Sequence, residues 1–250
     1  TTALGFVAGF TGKAIEDGLA AQGIHTDFIH LPEGNSRINV KVKHGDETEI
    51  NGQGPVITEE AINELFAKLA TLTKEDILVL AGSIPNTLPE DIYEKILARL
   101  ESKGIRVVVD ATKDLLLNVL KYHPFLIKPN NHELGEMFGT VCKTDEDIVH
   151  YAKKLQEKGA VNVLISMAGD GAILITEDGQ NIKMGTPKGK VVNSVGAGDS
   201  MVAGFITGYI RGGNYEEALK SGTAAGSATA FSEGLASLEM YEKMLKQITE

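Results

Sequence analysis

The sequence predicts an α/β protein: a doubly wound, mostly parallel sheet with helices on both faces, and a small β lid set into it. Three observations carry this. From residue 58 onward, amphipathic helical patterns alternate with short runs that are apolar throughout, and such runs mark strands buried on both faces of a parallel sheet. Residues 36–51 break that order, because polar and apolar residues alternate there around His44-Gly45-Asp46, as in a hairpin with one solvated face. Finally, 250 residues with 42% hydrophobic content are enough for one large core, and no linker divides them. Residues 1–250 are therefore expected to form a single domain, with 33–53 as an inserted hairpin.

Taken in order, LGFVAGF (4–10) predicts a strand, and residues 12–23 a helix with Ile15 and Leu19 on one face and Gly23 as its stop. HTDFIHL continues as a strand, and SRINVKVK (36–43) and ETEIN (47–51) make the hairpin. Four helix-then-strand pairs follow: 58–70 with 76–82, 89–104 with 105–111, a short helix near 114–121 with 125–130, and 144–159 with 162–168. Residues 171–178 and 181–187 are further strands, Val191-Val192 is strand-like, and helices near 198–211, 215–231 and 237–248 close the chain. The stretch EEALKSGTAAGSATAF is rich in small residues, so another backbone or a flat ligand can come close; tight helix packing is the plainer meaning.

A net charge of −10 argues against nucleic acid or an anionic membrane as partner, since both need a basic surface. No apolar run reaches the roughly 20 residues of a membrane span. The lone Cys142 allows no internal disulfide and suits a reducing compartment such as the cytoplasm. The start, TTALGFVAGFTGK, has neither an initiator methionine nor a basic leader and enters a strand at once, so further sequence is expected upstream of Thr1.

In open α/β sheets ligands bind beyond the carboxyl ends of the strands. Small, polar and acidic residues recur at those ends: Gly82-Ser83-Ile84-Pro85, Asp110, Asn130 to Glu133, and Met167 to Gly171. Nearby, Gly196-Ala197-Gly198-Asp199 opens a helix behind a glycine turn. Bare N–H groups at a helix start attract an anion, and Asp199 would stand beside it as a proton acceptor; alternatively it is only a favoured cap residue. Several chemistries drop out, because the chain has no P-loop, no G-x-G-x-x-G fingerprint, no H-E-x-x-H zinc pair and no G-x-S-x-G elbow. An anion hole, a neighbouring carboxylate, N-x-x-E and a glycine turn remain, and these are parts that phosphoryl transfer uses.

The segments NSVGAGDSMVAGF, IKPNNHELGEMFG and LISMAGDGA together resemble the PfkB-type carbohydrate kinases of the ribokinase-like fold, over residues 1 to about 237. The resemblance implies an enzyme that uses ATP and Mg²⁺. Asp199 would be the base for the sugar hydroxyl, and the backbone from Gly196 through Ala197 and Gly198 would hold the transferring phosphoryl group. Asn130 and Glu133 would organise Mg²⁺ through water, and Lys128 would lie near the nucleotide phosphates. Ser166 and the turn through Ala168, Gly169 and Gly171 would border ATP, with Ala168 standing where relatives often carry glycine. Arg37 and Asn39 on the hairpin lid, with Ser83, would contact a phosphosugar. Asp110 either faces the site or starts the next helix and receives no role.

Within the family, SRINVKVKHGDETEINGQGP looks most like members that convert fructose 1-phosphate to fructose 1,6-bisphosphate, with tagatose-6-phosphate kinases as near neighbours. The family's first strand, with its sugar-binding aspartate, and its glycine-rich segment are not in this sequence. A phosphosugar- or nucleotide-binding protein without turnover is thus the alternative. The resemblance also allows a homodimer through the lid.

Overall fold

The computed structural model describes residues 1–44, 46–82 and 84–249. Backbone contacts gather the chain into two compact units, Thr1–Glu75 with Ser83–Ile105, and Asp76–Gly82 with Arg106–Glu250.

In the first unit, β1 (Thr2–Ala3) pairs in parallel with β3 (His25–Thr26), and β2 (Phe6–Ala8) with β4 (Ile29–Leu31). Helix α1 (Gly9–Ala21) begins at Gly9, inside the segment whose pattern predicts a strand. The cause is a contact with a distant loop: Gly9 has φ 57°, and a Cβ there would lie 2.1 Å from Asn35 Oδ1. Phe10 N–H donates to that same oxygen at 3.2 Å and Ala8 N–H to Ser36 Oγ at 3.0 Å, so a side-chain turn, not a strand partner, takes up these donors. β5 (Asn39–His44) and β6 (Asp46–Asn51) form the expected antiparallel hairpin, with Asn39 opposite Asn51. Helix α2 (Glu59–Leu69) is capped by Thr58, whose Oγ1 accepts from Ala61 N–H at 3.3 Å. It meets α3 (Ile92–Leu100), where the Arg99 guanidinium lies 3.5 Å from the centre of the Phe66 ring.

The second unit is built on a six-stranded sheet. β7 (Ile77–Ala81), β8 (Arg106–Asp110), β9 (Leu126–Ile127) and β10 (Asn162–Ser166) run parallel in sequence order, and β11 (Ala172–Ile175) and β12 (Asn181–Met184) extend it antiparallel. The helices are α4 (Lys113–Val119), α5 (Asn131–Met137), α6 (Asp145–Glu157), α7 (Ala197–Gly212), α8 (Tyr215–Ala230) and α9 (Leu238–Thr249). On one face Val108, Leu126, Leu164 and Leu174 pack with Met201, Phe205 and Leu219 of α7 and α8. The alternate residues Val163, Ile165, Ile173 and Ile175 are just as buried, with α6 lying along β10 and β11. Both faces are therefore covered at the central strands, whereas in the edge strand β7 Val79 is 42% exposed, short of the full burial that its apolar run predicts.

Two departures from the sequence pattern have identifiable causes. β9 is shorter than the predicted 125–130 because Pro129 has no N–H for the ladder, leaving one further bridge, Asn130 to Ser166. Val191-Val192 is not a strand: the N–H groups of Val192 and Asn193 both donate to Ala230 O, at 2.8 and 3.1 Å, at the end of α8. The small residues of 216–231 serve helix packing, since a Cβ on Gly222 would lie 2.9 Å from Met201 O, and the facing glycines of α7 match them. A Cβ on Gly204 would lie 2.6 Å from Ser221 O, and one on Gly208 would lie 2.6 Å from Glu217 O.

Candidate active site

Strand register assembles the first part of the site. Val108 pairs with Leu126 and Val109 with Ile127, so the next residues along, Asp110 and Lys128, emerge side by side at the carboxyl ends of β8 and β9. Lys128 Nζ stands 3.2 Å from Asp110 Oδ1, with the side chains 8% and 16% exposed. Burial pushes the Asp110 carboxyl above the ordinary carboxylate range; the Lys128 ammonium opposes this, while the charges of Asp199 and Glu133 add to it. Asp110, unassigned from sequence, thus pairs with Lys128 and lies within electrostatic reach of Asp199 and Glu133. Only its place at a strand end hinted at this.

The start of α7 supplies the second part. Gly196 is its cap residue, in the left-handed region at φ 79°, and no side chain caps the helix. Asp199 is an exposed residue of the first turn, so the cap explanation for it fails. Ala197 N–H donates to Ser194 O at 3.2 Å, whereas the N–H groups of Gly198 and Asp199 have no acceptor among the described residues. A Cβ on Gly198 would lie only 3.0 Å from Lys128 Nζ. The missing side chain thus lets a buried cation come up against a helix N-terminus with two bare donors, which makes an anion site.

At the start of α5, Asn130 and Glu133 form a capping box. Asn130 Oδ1 accepts from Glu133 N–H at 2.8 Å, and Glu133 Oε2 accepts from Asn130 N–H at 2.8 Å. Glu133 Oε1 has no hydrogen-bond partner among the described residues. No group of three or more His, Cys, Asp or Glu side chains among them could hold a metal by itself. Mg²⁺ does not need such a cage, since it usually takes one or two carboxylates together with phosphate oxygens and water. The donor set fits that ion.

The turn after β10 forms a wall of a cavity of about 530 Å³, to which Asn130, Ser166, Ala168, Gly169, Ala197 and Gly198 contribute. This lies within the roughly 300–1,000 Å³ usual for ligand pockets. Phe231 and Ser227 from the end of α8 line it too, so that small-residue helix serves both packing and cavity. Gly171 shapes the turn instead of lining the cavity: it has φ 92°, and a Cβ there would sit 1.9 Å from Met184 O. Ala168 adopts φ 48°, a left-handed conformation that costs a non-glycine residue roughly 1–2 kcal/mol. Allowing for glycine's larger unfolded-state entropy, Ala168→Gly is expected to stabilise the protein by about 0.5–1 kcal/mol. A urea unfolding curve checks this, and an unchanged or lower midpoint would contradict it.

In the first unit, Arg37 lines a separate cavity of about 480 Å³ with Ser36, Gln53 and Asn86. Its guanidinium has no ion pair or hydrogen bond among the described residues. Asn39 opens β5 and is not on that lining, and Ser83 lies outside the described residues.

Comparisons with known proteins bear on the family. The family model described as pfkB family carbohydrate kinase matches residues 1–240. The chain is 50% identical over 246 residues to the 1-phosphofructokinase of Bacillus subtilis, covering 98% of this chain and 80% of that one. It is 39% identical to the D-tagatose-1-phosphate kinase of Bacillus licheniformis, covering 99% and 81%. Among solved structures, the tetrameric inhibited form of phosphofructokinase-2 from Escherichia coli superposes with a TM-score of 0.89 at 25% identity, covering 100% of this chain and 82% of that one.

Proposed function

Since the chain belongs to the pfkB family of carbohydrate kinases, and so is a phosphotransferase working with ATP and Mg²⁺, we propose that it phosphorylates fructose 1-phosphate to fructose 1,6-bisphosphate. The observation that carries this is the anion site at α7, two bare N–H groups with the Lys128 ammonium against Gly198. Asp199 accepts the proton of the attacking sugar hydroxyl as its oxygen bonds to the terminal phosphorus of ATP. The bond from that phosphorus to the bridging oxygen breaks, and ADP leaves. The Gly198 and Asp199 N–H groups and Lys128 take up charge on the transferring group where it develops, without reorganising. Glu133 and Asn130 would hold Mg²⁺, which when bound neutralises charge on the phosphates. Ser166 and the Ala168–Gly169 turn border the nucleotide.

ADP release tests the assignment, measured with fructose 1-phosphate, fructose 6-phosphate, tagatose 1-phosphate and tagatose 6-phosphate in turn. The highest kcat/KM is expected with fructose 1-phosphate. A higher value with a tagatose phosphate overturns the sugar, and no ADP from any of them favours a binding protein without turnover.

Arg37 is the cation assigned to the phosphate already on the sugar, with the hairpin as lid. A charge-assisted hydrogen bond is worth about 1.5–3 kcal/mol, so Arg37→Ala is expected to raise KM for the phosphosugar roughly 10- to 100-fold. KM for ATP should stay within about threefold, because the nucleotide phosphates are held elsewhere. Equal effects on both constants would point to a general defect and remove Arg37 from the sugar site.

The hairpin also supports a homodimer. Val40 and Ile50 sit opposite one another and are 46% and 60% exposed, with Ile38 beside them at 57%. Such an apolar pairing on a two-stranded sheet favours a second copy as cover. Light scattering after size exclusion is expected to give twice the chain mass, and a monomer mass would rule the dimer out. A cytoplasmic location suits an ATP-dependent enzyme whose one cysteine, Cys142, is buried and unpaired.

A further inference from the structure

We propose that Asp110 is a positioning residue for phosphoryl transfer: its carboxylate holds the Lys128 ammonium against the first turn of α7 and away from Asp199. This rests on the kinase assignment above and adds to it the device that keeps the cation in place. Lys128 is a long, flexible side chain that is nonetheless buried, and a buried ammonium needs a partner to offset its desolvation. Among the described residues its ion-pair partner is Asp110, at 3.2 Å.

Two further carboxylates stand within electrostatic reach of this pair. Asp199 and Glu133 lie near enough to Asp110 to act on its titration. An ammonium released by Asp110 would be drawn toward them, and one paired with Asp199 would make that carboxylate a weaker base. Two features hold it elsewhere. The parallel register sets Asp110 beside Lys128 on the neighbouring strand, and Gly198 leaves the space for Nζ, which a Cβ would approach to 3.0 Å. The cation therefore stands in place before charge develops on the phosphoryl group, which is where a fixed charge accelerates transfer.

The test is a double-mutant cycle on the full chain, with Asp110→Asn, Lys128→Met and the pair, read as kcat and as KM for each substrate. Asp110→Asn is expected to lower kcat about 10- to 100-fold, with KM for fructose 1-phosphate changed less than about threefold. In the Lys128→Met background the same change should cost less than about twofold, because there is no ammonium left to position. Asp110→Glu, which keeps the charge, should recover part of the loss. If Asp110→Asn fails to fold, the pair, with both charges removed, is compared with Lys128→Met alone; equal kcat supports the proposal. An equal loss in both backgrounds overturns it, and so does a loss repaired by excess Mg²⁺, which would put Asp110 on the metal. Wild-type kcat in Lys128→Met overturns it as well. These outcomes require an active wild-type enzyme; a wild type that makes no ADP with any phosphosugar overturns the kinase assignment itself.

Discussion

Asp199→Asn is expected to lower kcat by about 10²–10⁴, the span usually associated with loss of a general acid or base. KM for ATP should change less than about threefold, because Asn keeps the shape of the residue and leaves the backbone donors intact. The structure makes this substitution a clean one. Asp199 is exposed, sits in the first turn of α7, and caps nothing, since the cap residue is Gly196 with no side-chain bond. Its structural role is limited to an acidic charge near the positive end of a helix, worth roughly 0.3–1 kcal/mol. Stability should therefore fall by no more than that while turnover collapses, and steady-state kinetics beside a urea titration separates the two. A variant with kcat within about twofold of wild type would reduce Asp199 to a charge that complements the helix.

Gly204→Val should cause the largest loss of stability, about 2–4 kcal/mol, at the upper end of what overpacking a core costs. Gly204 is buried where α7 crosses α8, and even a Cβ would lie 2.6 Å from Ser221 O and 2.7 Å from Ala225 Cβ. The first clash is with backbone, so no side chain can swing aside and the helices must separate. Gly204→Ala should lose less, because alanine recovers about 1 kcal/mol of helix propensity. The control is Ala203→Val, an exposed site on the same helix, where about 0.5 kcal/mol is expected. Turnover should fall as well, because the first turn of α7 carries the anion site and a displacement of about 1 Å there can cost on the order of 10²-fold. A wild-type urea midpoint for Gly204→Val would show that the interface has slack that the structure does not indicate.

Much of the site was legible in the sequence because its signals are local. A glycine in the left-handed region before an apolar-periodic run opens α7, and Asn followed three residues later by Glu makes the box that starts α5, although that helix, at 7 residues, is too short for apolar periodicity to predict. Gly171 has φ 92°, a conformation that glycine supplies without strain, so its turn is legible as a glycine turn from sequence alone. Other features gave no local sign. The start of α1 depends on Asn35 and Ser36, a helix and two strands further along the chain, and the V-V pair before the glycine turn has a strand's composition, but the N–H groups of Val192 and Asn193 go to Ala230.

By itself, the sequence determined most of the order of helices and strands, the parallel sheet, and the chemical character of the strand ends, since each depends on residues within a turn or two of one another. Tertiary structure alone decided which of those ends touch. Asp110 and Lys128 are joined by β-strand register, with a whole helix between them in the chain. The Gly198 gap that admits the ammonium, and the fit of Gly204 against Ser221, come from the approach of separate elements. Residue pattern records which face of an element is buried, but the pairing that brings two distant charges to 3.2 Å is set by how those faces stack.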